Sequence, residues 1–180
     1  MTKTRFPILA RYLCAAFAPL AASLAAPGGA VAQVWTHVAA ACTVDEASTA
    51  KFDASAARFR HKGSSTGKIY ARCNVVNPVD AGTKPSWNAM ELVFKDNGDG
   101  ERVLAELYRV SNSSGGIYLI GSVDSNSFPG SANEQTEWDW LTSTGFDFYK
   151  YAYYVLLTVD RTGTATLPDA AIVRLFYQLY

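Results

Sequence analysis

The chain has 180 residues, 16 of them basic and 16 acidic, so its formal charge is zero. With 49% apolar and 13% aromatic residues, and mean hydropathy at zero, it reads as a globular chain. Disorder is excluded, since that needs low hydrophobicity or high net charge. A nucleic-acid partner is excluded too, since no basic excess exists.

The first thirty-odd residues read as an export signal. Lys3, Arg5 and Arg11 give a positive start, and no acidic residue precedes Asp45. Tyr12 to Ala26 is an apolar run that Pro27-Gly28-Gly29 ends. Ala30-Val31-Ala32 then supplies an A-x-A cleavage site before Gln33. The run is shorter than the ~20 residues a membrane helix needs. The expected organisation is therefore a signal peptide over 1–32 and one β-domain over 33–180, secreted or periplasmic, with no transmembrane segment after cleavage. Cleavage would leave roughly 150 residues, enough for a sizeable core.

Removal of the signal leaves two cysteines, Cys42 and Cys73. An even count in an exported chain predicts one disulfide. No C-x-x-C or His/Cys ligand spacing is present, so neither a metal nor another cofactor is expected.

Along the mature chain the main signal is alternation with period two. Gly67 to Val75 puts Ile69, Ala71, Cys73 and Val75 on one side, and Tyr70, Arg72 and Asn74 on the other. Trp87 to Lys95 repeats this with Met90, Leu92 and Phe94 inward. Asp96-Asn97-Gly98-Asp99-Gly100 reads as a hairpin turn. Arg102 to Val110 fits a strand or a helical stripe, and the flanking turns favour the strand. Next, Ile117, Leu119 and Val123 are set against Tyr118, Ile120, Ser122 and Asp124. In Gln135 to Trp140 the two tryptophans share a face, expected to be inward, with Glu137 and Asp139 outward. Tyr149, Tyr151, Tyr153, Val155, Leu157 and Val159 form the longest inward set. A last strand runs from Ala171 to Leu179 with Val173, Leu175, Tyr177 and Leu179 on one side. Several short strands, turn signals and no long helix predict an all-β fold. One-sided alternation favours antiparallel sheets. The expectation is a two-sheet β-sandwich of jelly-roll type with about seven to nine strands.

Chemistry is sparse. His37 and His61 are the only histidines, and no hydrolase, zinc-protease or nucleotide motif accompanies them. Both are expected at the surface. Glu137 and Asp139, two apart on one strand, stand about 7 Å apart, loosely the spacing of an inverting glycosidase. Binary patterning alone explains them better. Asp96, Asp99 and Glu101 make an acidic turn, but Gly98 occupies a ligand position of a calcium loop. Arg58, Arg60, His61 and Lys62 fit a solvated edge strand. Trp138, Trp140, Tyr151 and Tyr153 are assigned to the core. Tyr70, Tyr118 and Tyr154 point outward and are the candidate stacking surface for a ligand.

The stretch Thr66 to Val75, the earlier Cys42 and the strand Tyr153-Tyr154-Val155-Leu157-Val159 resemble a group of exported bacterial all-β proteins. These carry a signal peptide and one disulfide. The resemblance implies a fold and a staple, and no activity or site. Three readings follow: a small non-enzymatic binding or adhesion domain, which is preferred, a glycan-active hydrolase, and an envelope or exopolysaccharide-associated subunit. The expected partner is a carbohydrate or another envelope protein.

Overall fold

Residues 33–78, 84–96, 98, 100–143 and 145–179 are described in a computed structural model. The signal peptide expected over 1–32 lies outside them. Among the described residues the chain forms eleven strands: β1 (Trp35–Val38), β2 (Thr43–Val44), β3 (Phe52–Ser55), β4 (Arg58–His61), β5 (Gly67–Val75), β6 (Ala89–Asp96), β7 (Arg102–Ser111), β8 (Ile117–Asp124), β9 (Ser131–Trp140), β10 (Tyr151–Arg161) and β11 (Asp169–Phe176). The count exceeds the expectation because β1 to β4 are too short to show a period. No helix among the described residues is long and apolar enough to cross a membrane.

Two sheets form, and every strand pairing is antiparallel. The six-stranded sheet has the order β3-β4-β11-β6-β9, with β1 also on β11. The five-stranded sheet has the order β2-β5-β10-β7-β8. Only β3–β4 and β7–β8 are hairpins; every other succession changes sheet. The alternating residues of β5 and β10 fill the space between the sheets. Ile69, Ala71, Cys73, Val155, Leu157 and Val159 are fully buried, opposite Met90, Leu92, Phe94, Val173 and Leu175. One end of the core is aromatic. Trp87 meets Phe146 edge-on at 4.7 Å, and Phe146 lies 4.8 Å from Tyr153. The Cys42–Cys73 disulfide forms, with Cα atoms 4.5 Å apart. It ties the segment after β1 to the five-stranded sheet.

Several expectations are corrected. The hairpin expected at Asp96–Gly100 does not form, because β6 and β7 lie in different sheets. Gly98 and Gly100 do have positive φ, 85° and 78°, and use it to cross between sheets. Arg102–Ser111 is a strand. In β8 the register slips between Leu107 and Tyr108, so Gly121 faces Leu107 and Leu119 faces Tyr108. This bulge reverses the phase of the first half. Ile117 and Leu119 emerge, and Ile120 is buried. Tyr149 precedes β10 and is exposed, as are Tyr177 and Leu179 beyond the end of β11. The run 58–62 is not an edge: β4 lies between β3 and β11. Its arginines pair with acids, Arg58 with Asp169 and Glu134, and Arg60 with Asp53.

Candidate functional site

Strand β9 is an edge strand, paired only with β6. Residues opposite one another in an antiparallel pair share a face. Glu137 stands opposite Leu92 and Asp139 opposite Met90, both core residues. The acids therefore take the inner side of β9, at the rim of the sandwich. Trp138 and Trp140 take the outer side, 38% and 37% exposed. The expectation is reversed. Alternation alone cannot say which face of an edge strand meets the core, and here the acidic set, not the bulky one, faces inward.

The outer face of the six-stranded sheet can be read row by row. One row runs Thr36, Arg174, Glu91, Trp138. The next runs Phe176, Ala89, Trp140. Ala89 is fully buried between its two aromatic neighbours in that row. Trp138 meets Trp140 edge-on at 5.1 Å and Phe176 edge-on at 6.3 Å. Arg174 Nη1 donates to Glu91 Oε1 at 2.8 Å. Three aromatic rings thus flank an ion pair on one sheet face, and the arginine side chain remains 41% exposed.

The three tyrosines are not brought together. Tyr70 stands opposite Thr158 and Tyr154 opposite Asn74, on the outer face of the five-stranded sheet. Four positions of β10 separate them, about 13 Å, and both are half-buried. Tyr154 instead stacks on Tyr108, a residue that the sequence reading did not single out, with centroids at 5.3 Å and planes at 19°. Burial, aided by Glu106, raises the Tyr108 hydroxyl pKa. Tyr118 is exposed but stands opposite Arg109, on the side of Tyr153. The Arg109 guanidinium lies over the Tyr118 and Tyr151 rings, at 5.3 and 4.9 Å. Tyr153 is in the core as expected, and Tyr151 is half-buried.

The remaining candidates have structural surroundings. Asp99 lies outside the described residues. Asp96 and Glu101 are buried and line a cavity of about 420 Å³ with Lys95, Arg161 and Thr164. Asp96 accepts from Gly98 N at 2.9 Å and from the Ser125 hydroxyl, and Glu101 accepts from Thr166. The buried Arg161 donates to the carbonyls of Gly63, Ser65 and Thr164 at 2.6, 3.2 and 3.0 Å. A guanidinium and an ammonium in the same cavity oppose a calcium ion there. Of the two histidines expected at the surface, His61 is buried and His37 is partly covered. His61 is 1% exposed, with Nε2 3.2 Å from the Val159 carbonyl and Nδ1 3.3 Å from Ser65 Oγ. His37 is half-buried opposite the core residue Val173, and burial lowers its pKa. Its ring nitrogen and the sulfurs of Cys42 and Cys73 all lie within 4.8 Å of one another.

Neither a family model nor a curated protein matches the chain. Among solved structures it is similar to a family 11 carbohydrate-binding module from Clostridium thermocellum, in complex with a β-1,3-1,4-mixed-linked tetrasaccharide. Identity is 11%, coverage 84% of this chain and 86% of that one, and the TM-score 0.40. A mutant of a family 29 carbohydrate-binding module gives 8% identity, 80% coverage of each chain and a TM-score of 0.31. A structure of infectious bursal disease virus, Gt strain, gives 10% identity, 82% of this chain, 32% of that one and a TM-score of 0.32.

Proposed function

We propose that the protein is a non-enzymatic carbohydrate-binding domain, and that its ligand lies on the outer face of the six-stranded sheet. The observation that carries this reading is the pair Trp138 and Trp140. Two half-exposed tryptophans on one face of an edge strand, with Phe176 beside them, form an apolar surface. A soluble domain has little reason to leave such a surface open unless something covers it. A sugar ring presents an apolar C–H face bordered by hydroxyls. The indole rings suit the first, and the Arg174–Glu91 pair, one row along, suits the second with donors and an acceptor. The charged pair beside the rings, Arg174 with Glu91, is neutral in sum, which suits a neutral glycan.

Stacking and exposed hydrogen bonds are individually weak, so a dissociation constant near 10⁻⁴–10⁻⁶ M, about 5–8 kcal/mol, is expected. A hydrolase reading has less behind it. Glu137 and Asp139 face the rim from a single strand, and neither lines the cavity beside Arg161. The test is native affinity electrophoresis of the domain in gels containing soluble neutral polysaccharides, followed by calorimetry on any that retard it. Retardation by at least one is expected. Unretarded migration across neutral and acidic polysaccharides alike would remove the reading.

A further inference from the structure

We propose that in the dithiol state of this chain His37, Cys42 and Cys73 form a zinc site, so that the disulfide and a bound metal are alternative states of one locus. The proposal is independent of the carbohydrate reading. It stands on the convergence of three groups from separate parts of the fold. His37 comes from β1 of the six-stranded sheet, and Cys73 from β5 of the other, where it stands opposite Val155. Cys42 lies just before β2, which pairs with β5. The three donor atoms lie within 4.8 Å of one another.

Two thiolates and an imidazole are a zinc donor set that leaves one coordination position open. Zn–S and Zn–N bonds of about 2.3 and 2.1 Å place donors roughly 3.5–3.8 Å apart around a tetrahedral ion. The His37 nitrogen therefore has to approach by about 1 Å at most, while the two sulfurs, bonded in the oxidised chain, have to separate to about 3.8 Å once the bridge is reduced. His37 also lines a cavity of about 410 Å³ with Trp35, Thr36, Thr43, Arg72 and Asn74. That cavity reaches the His37 ring, and the Arg72 charge in it is neutralised by Asp45.

The chemistry balances as follows. A dithiol reductant gives two electrons and two protons to the bridge, becomes a disulfide itself, and leaves Cys42 and Cys73 as thiols. Zinc then takes both thiolates and the neutral His37 ring, and releases two protons. The same thiols exist before the bridge first forms. A metal held there would compete with oxidation of the newly made chain.

The test uses the described domain, oxidised and reduced, under anaerobic conditions. Cobalt(II) reports the geometry, through a thiolate-to-metal band and the visible bands of a tetrahedral ion. Zinc should displace it, and native mass spectrometry should show one zinc per reduced chain and none per oxidised chain. His37→Ala, checked for folding by circular dichroism, should weaken zinc binding at least about tenfold, since loss of a ligand costs no less than loss of a supporting group. Cys42→Ser with Cys73→Ser should abolish the thiolate band. Three results overturn the proposal: equal zinc binding by the two redox states, unchanged affinity in His37→Ala, or a reduced chain that is unfolded and stays so with zinc.

Discussion

Trp138 stands directly opposite Glu91 in the β6–β9 register, and Glu91 accepts from Arg174 at 2.8 Å on the next strand. An exposed indole, a carboxylate and a guanidinium thus follow one another across three strands of one face. This row sets the exposed indole beside groups that can read hydroxyls.

The bridge joins residues 31 apart in sequence. Closing a loop of that length is worth roughly 3–4 kcal/mol in the chain-entropy model. Cys42→Ala with Cys73→Ala should cost about 2–5 kcal/mol in urea unfolding. An unchanged urea midpoint would show that the unfolded chain gains nothing from losing the link.

His61 gives the domain an acid-sensitive point. Burial is the main cause of its lowered pKa, and the charges of Arg161 and Lys51 add to it. The folded state holds the neutral ring, whereas in the unfolded chain it titrates at its ordinary value of 6.5. Below that value the unfolded state binds the extra proton first. The stability is complete above about pH 6.5 and is lost as pH falls toward the depressed folded value. The urea midpoint should be lower at pH 5 than at pH 7.5, and His61→Gln should narrow the difference, with His37 keeping its own share. Parallel profiles for the two proteins would assign the acid response elsewhere.

Gly121 marks the β8 bulge. A Cβ there would run into the Leu141 side chain, which is buried. Gly121→Ala should cost about 1–3 kcal/mol by overpacking, measured by thermal or urea unfolding. A neutral effect would mean that Leu141 has room to turn aside.

The central strands were legible because both signals agreed. In β5 and β10 the buried set is the apolar set, and turns bound each run. The disulfide was legible from cysteine count and the inward phase of Cys73. Pairing was not. Asp96 to Gly100 carries hairpin residues but crosses between sheets, because Asp96 and Glu101 are anchored inside by Ser125 and Thr166. The bulge that turns Ile117 and Leu119 outward has no local signature beyond Gly121. The candidate face was missed for a related reason. On an edge strand one side is bordered by solvent at the rim, so alternation does not reveal that Trp138 and Trp140 take the outer face. Their partner Phe176 lies on β11, and only the sheet order brings it near.

Exposure also separates the two aromatic faces by experiment. Trp138 and Trp140 are 38% and 37% exposed, so replacing either with Ala should cost about 1–3 kcal/mol of stability, less than a fully buried aromatic. On the opposite sheet, Tyr108 and Tyr154 stack on one another and provide a matched control face.

The most direct measurement is calorimetry of a retarding polysaccharide against four folded variants: Trp138→Ala, Trp140→Ala, Tyr108→Ala and Tyr154→Ala. Loss of a central aromatic contact is expected to weaken binding about tenfold or more. Each tryptophan variant should show that loss while both tyrosine variants bind like the parent. Full affinity in the tryptophan variants, with loss in Tyr108→Ala or Tyr154→Ala, would contradict the assignment and move the site to the five-stranded sheet.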